Sequence, residues 1–343
     1  MQYRVLCLLF IVTAFSANAQ TRALGTWKMY LPFGSSITAC DAGDKVYSAA
    51  GKAVFSYEKE TGVIQIYDKA SGLNDVGIAT IAYDPSTKVL AIAYTNSNLD
   101  LLYNGTDIYN LSDIKSESTN GAININSLYF ANGDLYVSTD MGITMINLNK
   151  KEISNTYVIG AGGAQTKVYA VAMDATTIYA ATEEGVKYAA RNSANLQNFN
   201  SWTLFNPATG LPSKKAKYVE TLNNKVYAVI TGGGTDTIYG FDGTNWLTYY
   251  YDSLNTVTSF HTFNSVLYFT VFTEEGGGLN GKIEANGSIS TAQTQGHGRP
   301  TAWYVLDNWK WEADLYNGLY RDNMQGYVER IVPEGPFAPD VYD

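Results

Sequence analysis

The sequence predicts an all-β protein, and more narrowly a seven-bladed β-propeller with four-stranded antiparallel blades. Three observations predict this fold: a strand–turn–strand phrase occurs seven times, its copies lie about 44 residues apart, and apolar residues within each copy alternate with period two. A period of this length with several strands per unit is typical of propeller blades, whereas helical repeats would show a 3.6-residue period. The 27 tyrosines and 31 glycines suit strands joined by tight turns.

The first segment of the chain, residues 1–19, is predicted to be a secretory signal peptide. Arg4 supplies a positive charge before the apolar stretch from Val5 to Phe15, and Ala17-Asn18-Ala19 has the small-residue pattern of a cleavage site. The apolar stretch is too short to span a bilayer well. We therefore expect a Sec-exported protein, placed between the periplasm and the cell surface, whose mature chain begins at Gln20.

Each repeat is aligned on an anchor residue in a strand at the middle of its blade. The anchors are Tyr47, Leu90, Tyr136, Tyr179, Tyr227, Tyr268 and, in a degenerate seventh copy, Glu312. An apolar strand and a turn precede the anchor strand, and turns such as "ANGD" and "LNNK" carry residues that tolerate positive φ. Because no blade can bury its faces alone, the seven units are expected to close a ring over residues 20–332.

The segment "GTWKMYLP", residues 25–32, is predicted to close the ring. It precedes the first repeat and has the composition of an outer strand that could pair with the last blade. Such closure would leave few sheet edges exposed.

Charge and cysteine content exclude several classes of partner. The formal net charge of −9 argues against binding to nucleic acid or to anionic lipid headgroups. The mature chain keeps one cysteine, Cys40, so no intramolecular disulfide is expected. No transmembrane segment is predicted after the signal peptide.

The residues needed for catalysis are scarce, and we predict a non-enzymatic protein with no catalytic residues, cofactor or metal. A sialidase needs three arginines that converge on a carboxylate. The mature chain has five arginines, and all but the first lie in its second half: Arg22, Arg191, Arg299, Arg321 and Arg330. Only two histidines are present: His261 is interpreted as a packed strand residue and His297 as part of a glycine-rich loop. No G-x-S-x-G nucleophile elbow occurs. Glu274-Glu275 could at most hold a weak surface ion.

Aromatic clusters and polar turns are the remaining candidates for binding sites. Tyr249-Tyr250-Tyr251 and the group Trp303, Trp309 and Trp311 could stack on sugars, but strand aromatics usually fill the space between blades. Core packing is therefore the preferred interpretation, with Trp309 the most exposed of the group. "FDGTNW" (241–246) is interpreted as an Asp-Gly hairpin turn, and the glycine-rich "ITGGGTD" and "TEEGGGLNG" as hairpin tips. Asp252-Ser253, Glu183-Glu184 and Lys214-Lys215 are expected to be solvated turns. The ligand-binding residues stay unassigned.

Two connections between repeats resemble a known propeller phrase. Tyr67-xxxx-Gly72-Leu73 and Phe205-xxxx-Gly210-Leu211-Pro212 resemble the "F-x-x-x-x-G-L-P" phrase of the two-component-regulator propeller repeat. Longer stretches, in order "GTWKMYLPF", "SGLNDVGIATIAYDP", "VLAIAYTNSNLDLLYNG", "IYNLSDIK" and "ISNTYVIG", resemble the N-terminal propeller of the PorZ family. That family is a surface component of the type IX secretion system of Bacteroidota.

The resemblance implies a function that the residues alone do not. It implies a non-enzymatic component of the secretion and attachment machinery that binds a sortase and outer-membrane attachment proteins, and takes part in delivering anionic lipopolysaccharide to the sortase. In that family a second propeller and a C-terminal β-domain follow, and residues 333–343 look like the lead-in to that second propeller. Because the chain is acidic, we favour a protein-binding scaffold role for this propeller. The alternatives are a ligand-sensing propeller of the two-component-regulator type and a carbohydrate-active propeller enzyme.

Overall fold

The computed structural model describes residues 29–116, 123–251, 255–273, 277–294 and 298–335. These residues form seven antiparallel sheets of four strands each, and the strands of every sheet follow one another in the chain. Blades 1 to 3 consist of β1 Thr38–Asp41, β2 Lys45–Ala49, β3 Val54–Glu58 and β4 Ile64–Tyr67; β5 Ile78–Asp84, β6 Val89–Tyr94, β7 Leu99–Tyr103 and β8 Asp107–Leu111; and β9 Ile125–Ala131, β10 Asp134–Thr139, β11 Gly142–Asn147 and β12 Glu152–Tyr157.

The remaining blades have the same order. Blades 4 and 5 consist of β13 Val168–Met173, β14 Thr177–Thr182, β15 Gly185–Ala190 and β16 Thr203–Leu204; and β17 Ala216–Leu222, β18 Lys225–Gly232, β19 Thr235–Phe241 and β20 Trp246–Tyr251. Blades 6 and 7 consist of β21 Asn255–Phe263, β22 Val266–Thr273, β23 Gly277–Glu284 and β24 Ile289–Gln293; and β25 Pro300–Leu306, β26 Trp309–Asp314, β27 Gly318–Asp322 and β28 Val328–Ile331. The described helical structure is limited to α1 Asp113–Ser116 and three short 3₁₀ turns, Ala161–Gly163, Phe199–Ser201 and Pro207–Thr209. The predicted all-β, seven-bladed fold is confirmed.

The anchor residues lie where the repeat predicts them. All seven are in the second strand of their blade, in β2, β6, β10, β14, β18, β22 and β26. Four of the turns before these strands carry pairs of residues with positive φ, including Asn132 with Gly133 and Asn223 with Asn224. Two successive positive φ angles produce the twist that a tight hairpin requires.

The second and third strands are buried on both faces because each blade is packed between two others. All six residues of β6 are buried, for example, although alternate side chains point to opposite faces of the sheet. Apolar clusters fill the spaces between neighbouring blades; one joins Val89 and Leu99 of blade 2 to Leu135 and Val137 of blade 3. The stacked faces therefore supply the core that no single blade could form.

A one-residue β-bulge recurs near the start of the first strand in six blades of the described chain. The bulged residues are Ala79, Asn126, Tyr169, Lys217, Thr258 and Thr301. Four of their side chains reach the backbone of the next blade: Asn126 donates to the Val168 carbonyl at 2.8 Å, Lys217 donates to that of Val257, Thr258 donates to that of Pro300 at 2.7 Å, and Thr301 donates to that of Ser36 at 2.8 Å. The bulge thus turns a side chain out of its own ladder to connect adjacent blades.

Ring closure differs from the sequence prediction. The seventh sheet takes all four strands from residues 300–331, and residues 29–32 of the predicted closing strand belong to no strand; residues 25–28 lie outside the described residues. The prediction of an N-terminal closing strand was therefore wrong for the described segment, because Val328–Ile331 already completes the blade as β28.

The segment before β1 closes the ring in another way. Phe33 is 1% exposed and packs in the apolar cluster between blades 1 and 7, with its ring 5.7 Å from that of Phe55. The Ser36 amide donates to the Asp314 carbonyl at 2.9 Å, and the Ser36 carbonyl accepts the Thr301 hydroxyl. The closing seam therefore repeats the bulge contact found between other blades.

The predicted signal peptide, and residues 336–343 of the predicted lead-in to a second propeller, lie outside the described residues. Among the described helices, none is long and apolar enough to cross a membrane.

Candidate functional site

The seven first strands surround a central channel, which is the natural place to look for a binding site. The channel cavity has a volume of about 760 Å³, and side chains from every blade line it. Binding sites in proteins commonly have volumes of about 300–1,000 Å³. The channel is thus large enough for a small ligand.

Aligning the blades on their anchors identifies one layer of the channel wall. The residues that pair with the anchors across the first and second strands are Cys40, Tyr83, Tyr129, Ala172, Glu220, His261 and Trp303. Five of these carry titratable groups and line the channel: Cys40, Tyr83, Tyr129, Glu220 and His261. We call these five residues the channel belt. All five are half-buried, as expected for side chains at the rim of a narrow opening.

Glu220 is the belt residue whose ionisation is most altered near neutral pH. Burial raises the pKa of its carboxyl to about 8, against the opposing effect of hydrogen bonds from the Thr221 backbone and the Thr262 side chain. At pH 7 the carboxyl is therefore mostly protonated and can donate a hydrogen bond. Burial raises the pKa of Tyr129 to about 12, and the nearby Glu220 adds to that shift.

Glu220 is not among the residues predicted from the sequence to form a site. The sequence does contain a feature that could have indicated Glu220, because this residue stands in "KYVETLNNK" at the position that pairs with the anchor Tyr227. The position is recognisable only from the pairing of first and second strands in all seven blades, which is a property of the folded ring.

His261 is packed against its own blade, as predicted. Its ring lies 5.9 Å from that of Tyr268, nearly parallel, and burial lowers the pKa of the imidazole to about 4. The side chain is therefore neutral at pH 7. No group of three or more potential metal-binding side chains occurs among the described residues. His297 and Glu274-Glu275 lie outside them.

Cys40 is not poised as a nucleophile. Burial and the neighbouring Asp41 raise the pKa of its thiol well above the usual range, so the reactive thiolate is disfavoured. Asp41 pairs with Lys59, and Asp84 accepts hydrogen bonds from Ser86 and Thr87 in its own turn. Glu220 thus provides a neutral hydrogen-bonding carboxyl, without a second carboxylate among its described hydrogen-bond partners.

The predicted aromatic sites divide between core and surface. Trp303 and Trp311 are buried, as expected, and the Trp303 indole donates to the Phe269 carbonyl at 2.8 Å. Trp309 is half-buried beside a cavity of about 270 Å³, where the guanidinium of Arg321 lies 4.4 Å from its ring. Tyr251 is 60% exposed on an outer strand.

The predicted Asp-Gly turn and the tip in "ITGGGTD" form as expected. Asp242 accepts the Thr244 and Asn245 amides, Gly243 has φ +104°, and Trp246 then begins β20 as a buried residue. Gly233 and Gly234 form the tip between β18 and β19. The prediction of a tip over "TEEGGGLNG" was wrong for residues 277–281, because they pair with β22 as the start of β23; residues 274–276 lie outside the described residues.

The charged pairs are only partly solvated. Glu184 pairs with the buried Lys187 at 2.8 Å, and Glu183 accepts the Tyr169 hydroxyl, whereas Lys214 is exposed. Asp252-Ser253 lies outside the described residues. Among the described arginines, none lines the channel.

One family model matches a part of the chain that contains most of the quoted phrases. Residues 46–203, which run from blade 1 into blade 4, match the family model of the PorZ N-terminal β-propeller domain of the type IX secretion system. The chain has no sequence match among curated proteins.

Two solved structures resemble the ring. One is PorZ of Porphyromonas gingivalis, described as an essential bacterial surface component of the type IX secretion system, with a TM-score of 0.73 and 19% identity over 93% of this chain. The chain spans 40% of the length of that protein. The other is the β-propeller domain of Cps50 (Swd1) from Myceliophteria thermophila, with a TM-score of 0.61 and 8% identity over 89% of this chain and 99% of that one. At these identities the structures are evidence for the fold alone. Residues 46–203 thus match the N-terminal β-propeller domain of the PorZ family, and the complete ring has the fold of the PorZ propeller.

Proposed function

We propose that this propeller is a non-enzymatic binding component of the type IX secretion and attachment machinery, exported and held at the cell surface. The observation that carries the proposal is the family match over residues 46–203. PorZ, which shares the fold, is described as a surface component of that system. The predicted signal peptide supports export.

The channel geometry favours binding over catalysis. Hydrolysis of a glycosidic bond usually needs two carboxyl groups on opposite sides of the bond, separated by about 5 to 9.5 Å. In the described channel wall, Glu220 has hydroxyl and amide partners, while Asp41 and Asp84 are held by their own neighbours. These contacts leave a hydrogen-bonding belt rather than an acid–base pair.

The proposed partners are the type IX sortase, outer-membrane attachment proteins and anionic lipopolysaccharide. The net charge of −9 makes a large electrostatic surface for an anionic glycan unfavourable. We therefore propose that this propeller acts mainly as a protein-binding scaffold, and that any contact with a glycan occurs at a local site.

The test is affinity capture with the mature chain, residues 20–343, from detergent-solubilised outer membranes of a Bacteroidota species. Circular dichroism first checks that the chain is folded, and an unrelated acidic propeller serves as the control bait. We expect selective enrichment of the sortase or of outer-membrane attachment proteins, measured by mass spectrometry, or of anionic lipopolysaccharide, measured by immunoblot. A folded chain that enriches none of them over the control would contradict the proposal.

A further inference from the structure

A second cavity, separate from the channel, lies between blades 3 and 4. Its volume is about 590 Å³, and it opens beside the turns that join the first and second strands of these blades. Polar groups at its wall come from Asn132, Tyr136, Thr176, Arg191 and Asn192.

Arg191 has unused hydrogen-bonding capacity in this cleft. One guanidinium nitrogen donates to the Asp174 carbonyl at 2.7 Å, and the side chain forms no ion pair with any described residue. A guanidinium carries five N–H donors in a planar fork that matches a carboxylate. The bond to Asp174 fixes the plane of the group and leaves the other donors available.

Tyr136 supplies a second unused donor. Its hydroxyl has no hydrogen-bond partner among the described residues, although burial raises the pKa of the phenol. Asp134 raises this pKa further and Arg191 lowers it, so the Tyr136 hydroxyl and the guanidinium lie within electrostatic reach of each other. A half-buried donor without a partner is unfavourable unless a ligand or water satisfies it.

The nearest acidic groups do not neutralise the cleft. Asp174 does not line it, and its carboxylate accepts hydrogen bonds from the Thr176 and Thr177 amides and the Tyr179 hydroxyl, all at 2.7–2.8 Å. Burial alone would raise the pKa of Asp174, but these bonds lower it overall. Asp134 also lies outside the cleft wall and accepts the Asn147 amide. The lining contains one cation and no carboxylate.

The cleft is held in shape by its own blade. The Arg191 amide donates to the Thr176 carbonyl at 2.8 Å, and the Trp202 indole donates to the Leu196 carbonyl at 2.9 Å, fixing the loop that supplies the outer wall. Met173 and Ile178 form an apolar floor. Binding would therefore require little ordering of the protein, which favours affinity.

We propose that this cleft binds a carboxylate-bearing saccharide of about two sugar units. A single arginine suits a monoanionic carboxylate, and no second cation lines the cleft for a phosphate dianion. The side-chain amides of Asn132 and Asn192 both donate and accept, which matches sugar hydroxyls, while the apolar floor matches the C–H face of a sugar ring. A free amino acid would need a carboxylate for its ammonium group, and the lining has none. The assignment depends on the chemistry of the cleft and not on the role proposed for the propeller in secretion.

The test uses the mature chain and isothermal titration calorimetry with di-galacturonic acid. Neutral cellobiose and a tripeptide with a free C-terminal carboxylate are the comparison ligands. Three variants are needed: Arg191→Ala, Tyr136→Phe and Lys225→Ala, the last an exposed cation on blade 5 that changes the net charge equally.

We expect saturable binding of di-galacturonic acid and about tenfold weaker binding of cellobiose, because the neutral sugar cannot pair with Arg191. Arg191→Ala should weaken binding of the acidic sugar about tenfold or more, and Tyr136→Phe severalfold. Lys225→Ala should have no effect. Because the Tyr136 hydroxyl has no partner among the described residues, Tyr136→Phe should not lower the unfolding midpoint.

Three results would overturn the assignment. They are the absence of binding at millimolar concentrations of di-galacturonic acid, binding that is indifferent to both cleft variants, and tighter binding of the tripeptide with the same dependence on Arg191.

Discussion

Glu220 is an example of a side chain whose chemistry is set by its place in the ring. Its carboxyl is half-buried on the channel wall, and burial raises the pKa from the ordinary value of 4.5 to about 8. In the unfolded chain the same group is solvated and loses its proton near the ordinary value. The folded chain therefore holds one more proton than the unfolded chain between these two pH values.

The stability of the protein should consequently fall as pH rises through this window, from about 4.5 to about 8. Each pH unit contributes up to about 1.4 kcal/mol. Glu220→Gln removes the titration, so the free energy of unfolding of the variant relative to the wild type should increase with pH. Urea denaturation at pH 5 and pH 8.5 measures this difference.

Glu152→Gln is the matched control for this experiment, because Glu152 is exposed on the outer strand β12. Its effect on stability should be nearly the same at both pH values. If Glu220→Gln behaves in the same way as this control, the proposed protonation of Glu220 in the folded chain is wrong.

Glu312 shows why the seventh repeat reads as degenerate in sequence and still forms a blade. It occupies the anchor position with 0% exposure, where five other blades have tyrosine. Lys310, two residues earlier on the same face of β26, lies 3.1 Å from its carboxylate, and Asn280 of blade 6 donates to the same oxygen. The i, i+2 spacing of Lys310 and Glu312 in the sequence places both side chains on one face of a strand. The contact with Asn280 comes from another blade, so the sequence around Glu312 does not predict it.

The connections between blades explain the glycine in the recurring phrase. Gly210 ends the 3₁₀ turn at Pro207–Thr209 with φ +95°, and an added Cβ would lie 2.8 Å from the Trp246 carbonyl oxygen. Gly72 occupies the same place between blades 1 and 2, with φ +117° and a contact to Ile108 of β8. In both phrases the following leucine, Leu73 or Leu211, is buried. The glycine thus lets each connection lie against the outermost strand of the next blade.

Replacing Gly210 by alanine should destabilise the protein for two separable reasons. The left-handed φ alone costs about 1 kcal/mol for a residue with a side chain. The close approach to Trp246 adds to this, and we expect a total of about 2 kcal/mol or more. Urea unfolding at a fixed m-value measures the loss.

Gly243→Ala separates the two contributions. Gly243 has a similar φ of +104°, but an added Cβ would meet nothing within 4 Å. This variant should lose only the conformational part. Equal losses in the two variants would mean that the Trp246 backbone moves away freely and the contact does not restrict Gly210.

Local sequence patterns predicted the strands and turns of each blade, but they did not predict how the ring closes. The anchors and hairpin turns depend on neighbouring residues, so period-two burial and positive-φ residues identified them. The closing contact joins residues about 265 positions apart, such as Thr301 and Ser36, and no local pattern encodes it. The Arg191 cleft is similar, because Tyr136 and Arg191 meet only when blades 3 and 4 pack together.

The closing seam between blades 1 and 7 should determine whether the ring unfolds as one cooperative unit. Phe33 lies between blades 1 and 7 in a cluster with Phe55, Trp311 and Leu319. If the ring unfolds as one unit, a lesion at this seam should lower the stability of every blade and not only of the two that it touches. An open array of blades would instead lose protection only near the lesion.

Phe33→Ala tests this because truncating a buried phenylalanine typically costs about 3–5 kcal/mol. Native-state hydrogen exchange, read by mass spectrometry, should show slow amides in β14 of blade 4 losing protection by the same factor as those in β2 and β26. That factor should be about two orders of magnitude or more. Phe269→Ala is the matched control, because Phe269 is buried at the seam between blades 5 and 6, away from the closing seam. It should also lower amide protection by the same factor in every blade. Phe33→Leu provides a milder change if the alanine variant does not fold. Loss of protection confined to blades 1 and 7 would mean that the seam opens independently, and that the other blades are stable without a closed ring.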